Sequence, residues 1–272
     1  MPDPFVILQA MAAAAIAAAA ILIGSTGLKR PDDAGRAALG WPLAIGAGFL
    51  TGAIALGQRP GSLPGTDKDR LLLLVVPMVV ITETVLAAAR PTALWQWVTR
   101  LAMAAAIVPI LLHGSIYLAG PEFNSADTWT TGQRVMILGG IAMALVIQWL
   151  SMMTLQERGH ARAVWCALAI TSIAAGVTTM LTGYMSAGML GLPFAAVCGT
   201  AAFCGSAARG RTAAGGIVVA LACLGSILVM GRFFGALSSS RALMLAAAPL
   251  LCWIKECLPI RTDLPPRHGT DG

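Results

Sequence analysis

Charged residues are scarce. They make up 11% of the 272 residues, against roughly 25% in a soluble domain. That shortage excludes a water-covered surface over most of the molecule, so much of the chain must face lipid. Aromatic residues are also few, at 6%, which excludes a core built on large rings and favours helices that approach through alanine and glycine. The six cysteines fall inside or at the end of apolar runs and show no C-x-x-C spacing. They fit neither a zinc site nor a disulfide framework and read as small buried apolar residues.

Catalytic signatures are missing as well. No P-loop, H-E-x-x-H or G-x-S-x-G is present, so no ATPase, zinc protease or hydrolase reading is available. Neither a paired set of intramembrane aspartates nor a catalytic residue stands out. The net charge is +6, but no basic run is interleaved with aromatics, and nucleic acid is not an expected partner. No cofactor is expected. A buried histidine–metal site is not expected either, because His113 is the only histidine inside an apolar segment; His160 and His268 fall in polar ones.

What the chain does have is a succession of apolar runs near the roughly 20 residues that a membrane-crossing helix needs. They cover 4–23, 41–57, 71–89, 97–118, 135–155, 163–183, 185–206, 213–231 and 242–258. The expected fold is therefore all-α, a polytopic transmembrane helical bundle of about nine spans, with eight as the alternative count. Residues 1–258 form one transmembrane domain, and 259–272 read as a disordered cytoplasmic tail. The N-terminal run lacks the positive leader of a signal peptide, and Lys29 and Arg30 follow it. That order places the N-terminus outside and the C-terminus in the cytoplasm. Alternation through nine spans then puts twelve of the eighteen Lys and Arg residues inside, and leaves Arg59, Lys68, Arg70, Arg134, Arg232 and Arg241 outside, the direction of the positive-inside bias. The seven tryptophans lie near proposed segment ends and read as an interfacial belt. The location expected is a membrane, as a multi-pass protein of a bacterial inner or plasma membrane. The partners expected are membrane lipid and other membrane subunits.

Within this apolar chain, "VVITETVLAAARP" carries a carboxylate, Glu83. It lies about 12 residues, or roughly 18 Å, from the outer end of its span. At that depth a charge facing lipid costs at least a few kcal/mol, so Glu83 must face protein, be neutral, or line a wet cavity. Gln148 reaches a similar depth and is the expected hydrogen-bond partner, with Arg90 seven residues on as a more distant one. His113 completes a candidate substrate or proton pathway, although its depth differs from that of Glu83 by some 10 Å. A second candidate is "GRFFGALSSSR", where Arg232 and Arg241 bracket a Phe–Phe pair and a serine run; these arginines could contact an anion or lipid headgroup. Pro77, Pro109, Pro193 and Pro249 would kink their helices. Gly48 and Gly52 have small-x-x-x-small spacing, which in so glycine-rich a chain carries little information.

The leading reading is a non-enzymatic integral membrane component or scaffold. The alternatives are a small-solute or proton-coupled transporter using Glu83, and a membrane enzyme or binder for a lipid-linked anion at the Arg232–Arg241 loop. A water-accessible cavity reaching Glu83 would favour transport. A dry Glu83 bonded to Gln148 would favour the scaffold. A cleft joining both arginines to a carboxylate would favour the enzyme.

Overall fold

The computed structural model describes residues 3–26, 33–59, 61, 64–118, 129–204 and 213–254. Among them every regular element is helical: α1 (Pro4–Thr26), α2 (Asp33–Ala55), α3 (Asp67–Ala89), α4 (Ala93–Leu112), α5 (Thr131–Leu155), α6 (Ala161–Leu181), α7 (Met185–Cys204), α8 (Ala214–Phe233) and α9 (Ser239–Trp253). The expected tail lies outside the described residues. Large apolar side chains such as Ile16, Ile81, Ile147, Ile170 and Phe203 are exposed on the flanks of these helices. Helices apolar on all sides belong in lipid or in a core. The chain is an all-helical bundle with the make-up of a multi-pass membrane protein.

Among the described residues seven helices are long and apolar enough to cross a membrane, and the difference from nine has two causes. The first is that the fifth and sixth segments form one continuous run of 51 residues, Thr131–Leu181, broken at Gly159, whose φ is +92°. The run doubles back there. Trp129, just before it, packs on Phe233, while Thr182, just after it, accepts a hydrogen bond from Ala236, so both its ends meet the C-terminal end of α8. The second cause is that the last segment is short. It is α-helical to Ala247 and then 3₁₀-helical over Ala248–Trp253. With rises of about 1.5 and 2.0 Å per residue, its 15 residues still extend roughly 25 Å. One end sits at Ser239, bonded to Arg232, and the other at Trp253, beneath the Arg158 guanidinium.

Helix α8 is the central rod. Between Gly216 and Gly231 only Gly225 is not buried, and α8 packs against α2, α3, α4, α5, α6, α7 and α9. Small residues set the tightest approaches. A Cβ on Gly191 of α7 would lie 2.6 Å from the Gly176 Cα of α6, and one on Gly52 of α2 would lie 2.5 Å from Pro193 Cβ and 2.9 Å from Ala14 Cβ. The Gly48–Gly52 pair is therefore a packing face that spacing alone did not distinguish. The tryptophan belt also needs correction. Trp41, Trp149 and Trp165 are fully buried, and Trp41 stacks on Trp165 at 5.5 Å.

Local breaks follow the chemistry of the chain. Pro77 removes one donor from α3, and the turn before it widens to a π-helix over Leu71–Val75, with Val76 N–H bonding Leu71 O. The start of α3 is held by a capping box between Thr66 and Asp69. Near the other end of the chain, Pro249 cannot supply the N–H that a 3₁₀ turn would direct at Ala246 O. Gln148 supplies it, through a hydrogen bond from its side-chain amide to that carbonyl. Gln148→Leu is thus expected to leave a half-buried carbonyl short of a donor and to destabilise the fold by about 1 kcal/mol, whereas Gln148→Asn, too short to reach, should behave nearly as badly. Thermal melts of the purified variants measure both.

Candidate functional site

Helices α3 and α4 are joined by a turn of three residues, Arg90–Thr92, between Ala89 and Ala93. Arg90 caps α3 with φ +47°, the one positive φ among the described non-glycine residues, and its N–H bonds Leu86 O. Antiparallel rods joined so tightly bring to one level residues that are equally far from the turn. Glu83 lies eight residues before Pro91, and Arg100 nine residues after it. Their side chains meet: Arg100 Nε donates to Glu83 Oε1 and Nη2 to Oε2, each at 2.8 Å. Glu83 is 1% exposed and Arg100 5%. The fork-to-fork geometry satisfies both carboxylate oxygens. One turn earlier on α4, the Trp97 ring faces the guanidinium, with Arg100 Cζ 5.4 Å from its centroid.

The first turn of α8 closes the other flank. A Cβ on Gly215 would lie 3.2 Å from Glu83 Oε2 and 2.9 Å from Pro42 Cγ. Glycine there lets the start of a helix, with its positive partial charge, come close to the carboxylate. The Trp41–Trp165 stack borders the next residue, Gly216.

Against this pair lies a cavity of about 770 Å³, within the roughly 300–1,000 Å³ range of small-molecule sites. It reaches from Glu83 and Arg100 to the Pro91 end of the bundle, between α2, α3, α4, α5 and the start of α8. Arg90, Gln96, Thr154 and Glu157 give its wall further polarity. Among the described residues the lining thus carries two guanidiniums, Arg90 and Arg100, and two carboxylates, Glu83 and Glu157. That balance suits a solute bearing both signs of charge, or none, better than a strongly charged one.

Comparison with known proteins finds no matching family model, no matching curated protein and no matching solved structure.

Of the residues expected to act with Glu83, none reaches it. Gln148 is bonded to Ala246 and lines a different cavity. Arg90 is exposed at the turn. His113 caps the far end of α4, where its side chain is exposed and its carbonyl accepts from Arg70. Thirteen residues, about 20 Å of helix, separate it from Arg100. The expected pathway Glu83–Gln148–His113 is not assembled. Arg232 and Arg241 are not joined either. Arg232 Nε bonds Ser239 Oγ at 2.8 Å and its side chain lines a groove, whereas Arg241 is exposed in the first turn of α9 and only its backbone N–H bonds Ser238. Among the described residues no group of three or more His, Cys, Asp or Glu could hold a metal ion.

The residue that sequence reasoning missed is Arg100. The charge pattern places it only among the twelve inner-side Lys and Arg residues, whereas the turn centred near Pro91 makes it the natural counterpart of Glu83.

The opposite, Gly183 end is closed by another polar contact. Tyr184, in the turn between α6 and α7, directs its hydroxyl at both carboxylate oxygens of buried Asp67, 2.6 Å away. Burial and then the hydrogen bond to Asp67 raise the Tyr184 phenol above its ordinary value. A raised value in the folded state means that this contribution is complete below pH about 10, where an unfolded tyrosine titrates, and is lost as the pH rises beyond it. Tyr184→Phe is expected to lower the melting temperature at neutral pH and to flatten its fall above pH about 10. Melts across the alkaline range check this.

Proposed function

We propose that this chain is a multi-pass membrane protein that binds a small polar solute in the chamber ending on the Glu83–Arg100 pair, and that it acts as a permease. The observation that supports the reading most directly is the cavity of about 770 Å³ that reaches Glu83, with charged and polar side chains set in a largely apolar wall. With the Pro91 end cytoplasmic, as the charge distribution favours, the chamber opens inward. A zwitterion fits the chemistry of its floor. A solute carboxylate would take the place of Glu83 on the Arg100 fork, and a solute ammonium would take the place of Arg100 on Glu83. The net exchange replaces one charge-paired set by two and leaves no buried charge alone.

A second reading, the membrane scaffold, draws on a specific observation too: Glu83 and Arg100 close on each other in a bidentate contact that satisfies both carboxylate oxygens from within the protein. The two readings separate by accessibility. Thr154→Cys and Ala87→Cys, both on the chamber wall, are introduced with the native cysteines replaced, in sealed vesicles of each orientation. The permease reading expects a membrane-impermeant thiol reagent to label them from the Pro91 side only, and expects slower labelling when millimolar glycine, glutamate or lysine is present. Proteoliposomes should take up the labelled amino acid that protects best. Unreactive cysteines in both orientations, or reactivity that no amino acid alters together with no uptake, would leave the scaffold.

A further inference from the structure

A second cavity, of about 620 Å³, lies further along α8 toward Phe233, between α5, α8 and α9, and the permease reading makes no use of it. Its walls are apolar along most of their length: Ile137, Ile141, Leu145, Leu228 and Leu243 among others. Polarity is confined to its ends. At the Gly183 end stand Arg232 and Ser239, beside an aromatic triad in which Tyr117, Trp129 and Phe233 lie 5.1–5.4 Å apart. At the deep end is Gln148, whose amide is already engaged by Ala246. Along α5 the lining runs from Met136 to Gln148, about 18 Å at 1.5 Å per residue. One leaflet is half of a hydrocarbon core roughly 30 Å thick. The groove therefore has the depth of a single leaflet, with its cation and its aromatic rings at the level where headgroups lie.

We infer that this groove holds the hydrocarbon chain of an anionic phospholipid, with the phosphate at Arg232. The Arg232 guanidinium is pinned rather than loose. Its Nε is fixed by Ser239 Oγ at 2.8 Å, and its carbon lies 5.5 Å from the Phe233 centroid. Among the described residues no carboxylate pairs with it, so its terminal nitrogens are available for two parallel hydrogen bonds to phosphate oxygens. The Ser239 hydroxyl adds a neutral donor at the same place. The apolar walls explain the rest of the choice: a free phosphate would fill only the mouth.

Tryptophan quenching tests the assignment. The full-length protein is placed in phosphatidylcholine nanodiscs containing a small proportion of phosphatidylglycerol brominated on its acyl chain, or of phosphatidylcholine brominated in the same way. Phosphatidylglycerol is expected to quench the more strongly, and Trp129→Phe should remove the excess. Arg232→Gln is expected to reduce the preference at least tenfold, about the worth of one charge-assisted contact, and Arg232→Lys, which keeps the charge but not the two-pronged fork, should fall between the two. Gly140→Phe offers a check that does not touch the charge. Nothing lies within 4 Å of a Cβ at Gly140, an exposed groove residue, so the added side chain starts in open space, and a ring turned into the groove should displace the chain; an unchanged melting temperature shows that the variant is folded. Equal quenching by the two lipids, a preference unchanged in both Arg232→Gln and Gly140→Phe, or loss of the preference on adding inorganic phosphate would overturn the proposal. So would cross-linking of copies through Gly140→Cys without any lipid preference, which would make the face an interface between chains.

Discussion

Glu83→Leu is expected to destabilise the protein by about 3–5 kcal/mol, because it leaves the Arg100 guanidinium buried without its counter-ion. Arg100→Leu should cost a similar amount for the mirror-image reason. Glu83→Gln is not a mild change here. One amide oxygen can still accept from the guanidinium, but the amide NH₂ would face an Arg100 N–H, donor against donor. It should fall close to Glu83→Leu. The double variant Glu83→Leu, Arg100→Leu removes both charges together and is expected to recover most of the loss, since replacing a buried pair by apolar side chains is often neutral or better. Denaturant titrations in detergent give the four values, and the cycle gives their coupling. Additive losses in the double variant would show that the two side chains do not depend on each other. Function then divides from stability: the double variant should fold and yet fail to bind or carry a solute through the chamber.

Gly191→Val carries the second large effect. The Cβ position already lies 2.6 Å from Gly176 Cα and 2.8 Å from Ser172 O, both backbone atoms. Backbone in a packed helix cannot swing aside as a side chain can, so α6 and α7 would have to separate along their length. The expected cost is at least about 3 kcal/mol, the upper range for overpacking, with loss of the monodisperse peak on size exclusion. Even Gly191→Ala should be clearly destabilising. Gly199→Ala, on the same helix but with nothing within 4 Å of the added methyl, is the control and should be neutral or slightly stabilising.

These two sites show what could be read from the residues and what could not. The rods were visible because a membrane-crossing helix is defined by length and apolarity, which are properties of contiguous sequence. Where one run passed into another, at Gly159, the apolar pattern alone located the reversal to within a few residues. Glu83 was visible because a carboxylate stands out among alanines and valines. Its partner was harder to see. Depth counted from a span end gave Gln148, and depth counted from the shared turn would have given Arg100. The second count uses the geometry of a hairpin, the first only the geometry of a slab. Gln148 was misassigned for a related reason: its role depends on Pro249, 101 residues away, and only the folded chain shows that the proline leaves a carbonyl in need of a donor. The inward turn of Trp41, Trp149 and Trp165 was equally hidden, because the sequence indicates how far along a helix a ring stands and not which way it faces. The arginines at 232 and 241 were noticed for their spacing, but the start of α9 between them sends only Arg232 to the groove.

The mixed winding of α9 has a consequence for the host membrane. Converting its last six residues from 3₁₀ to α geometry would shorten the rod by about 3 Å, comparable with the thickness differences between natural bilayers. Rewinding would be a route to follow hydrophobic mismatch besides tilting, and it would bring the Leu250 N–H onto the Ala246 carbonyl that Gln148 holds. Lipids with longer or shorter tails become a dial on that one hydrogen bond, and the bundle should be most heat-resistant in the bilayer whose thickness leaves it intact.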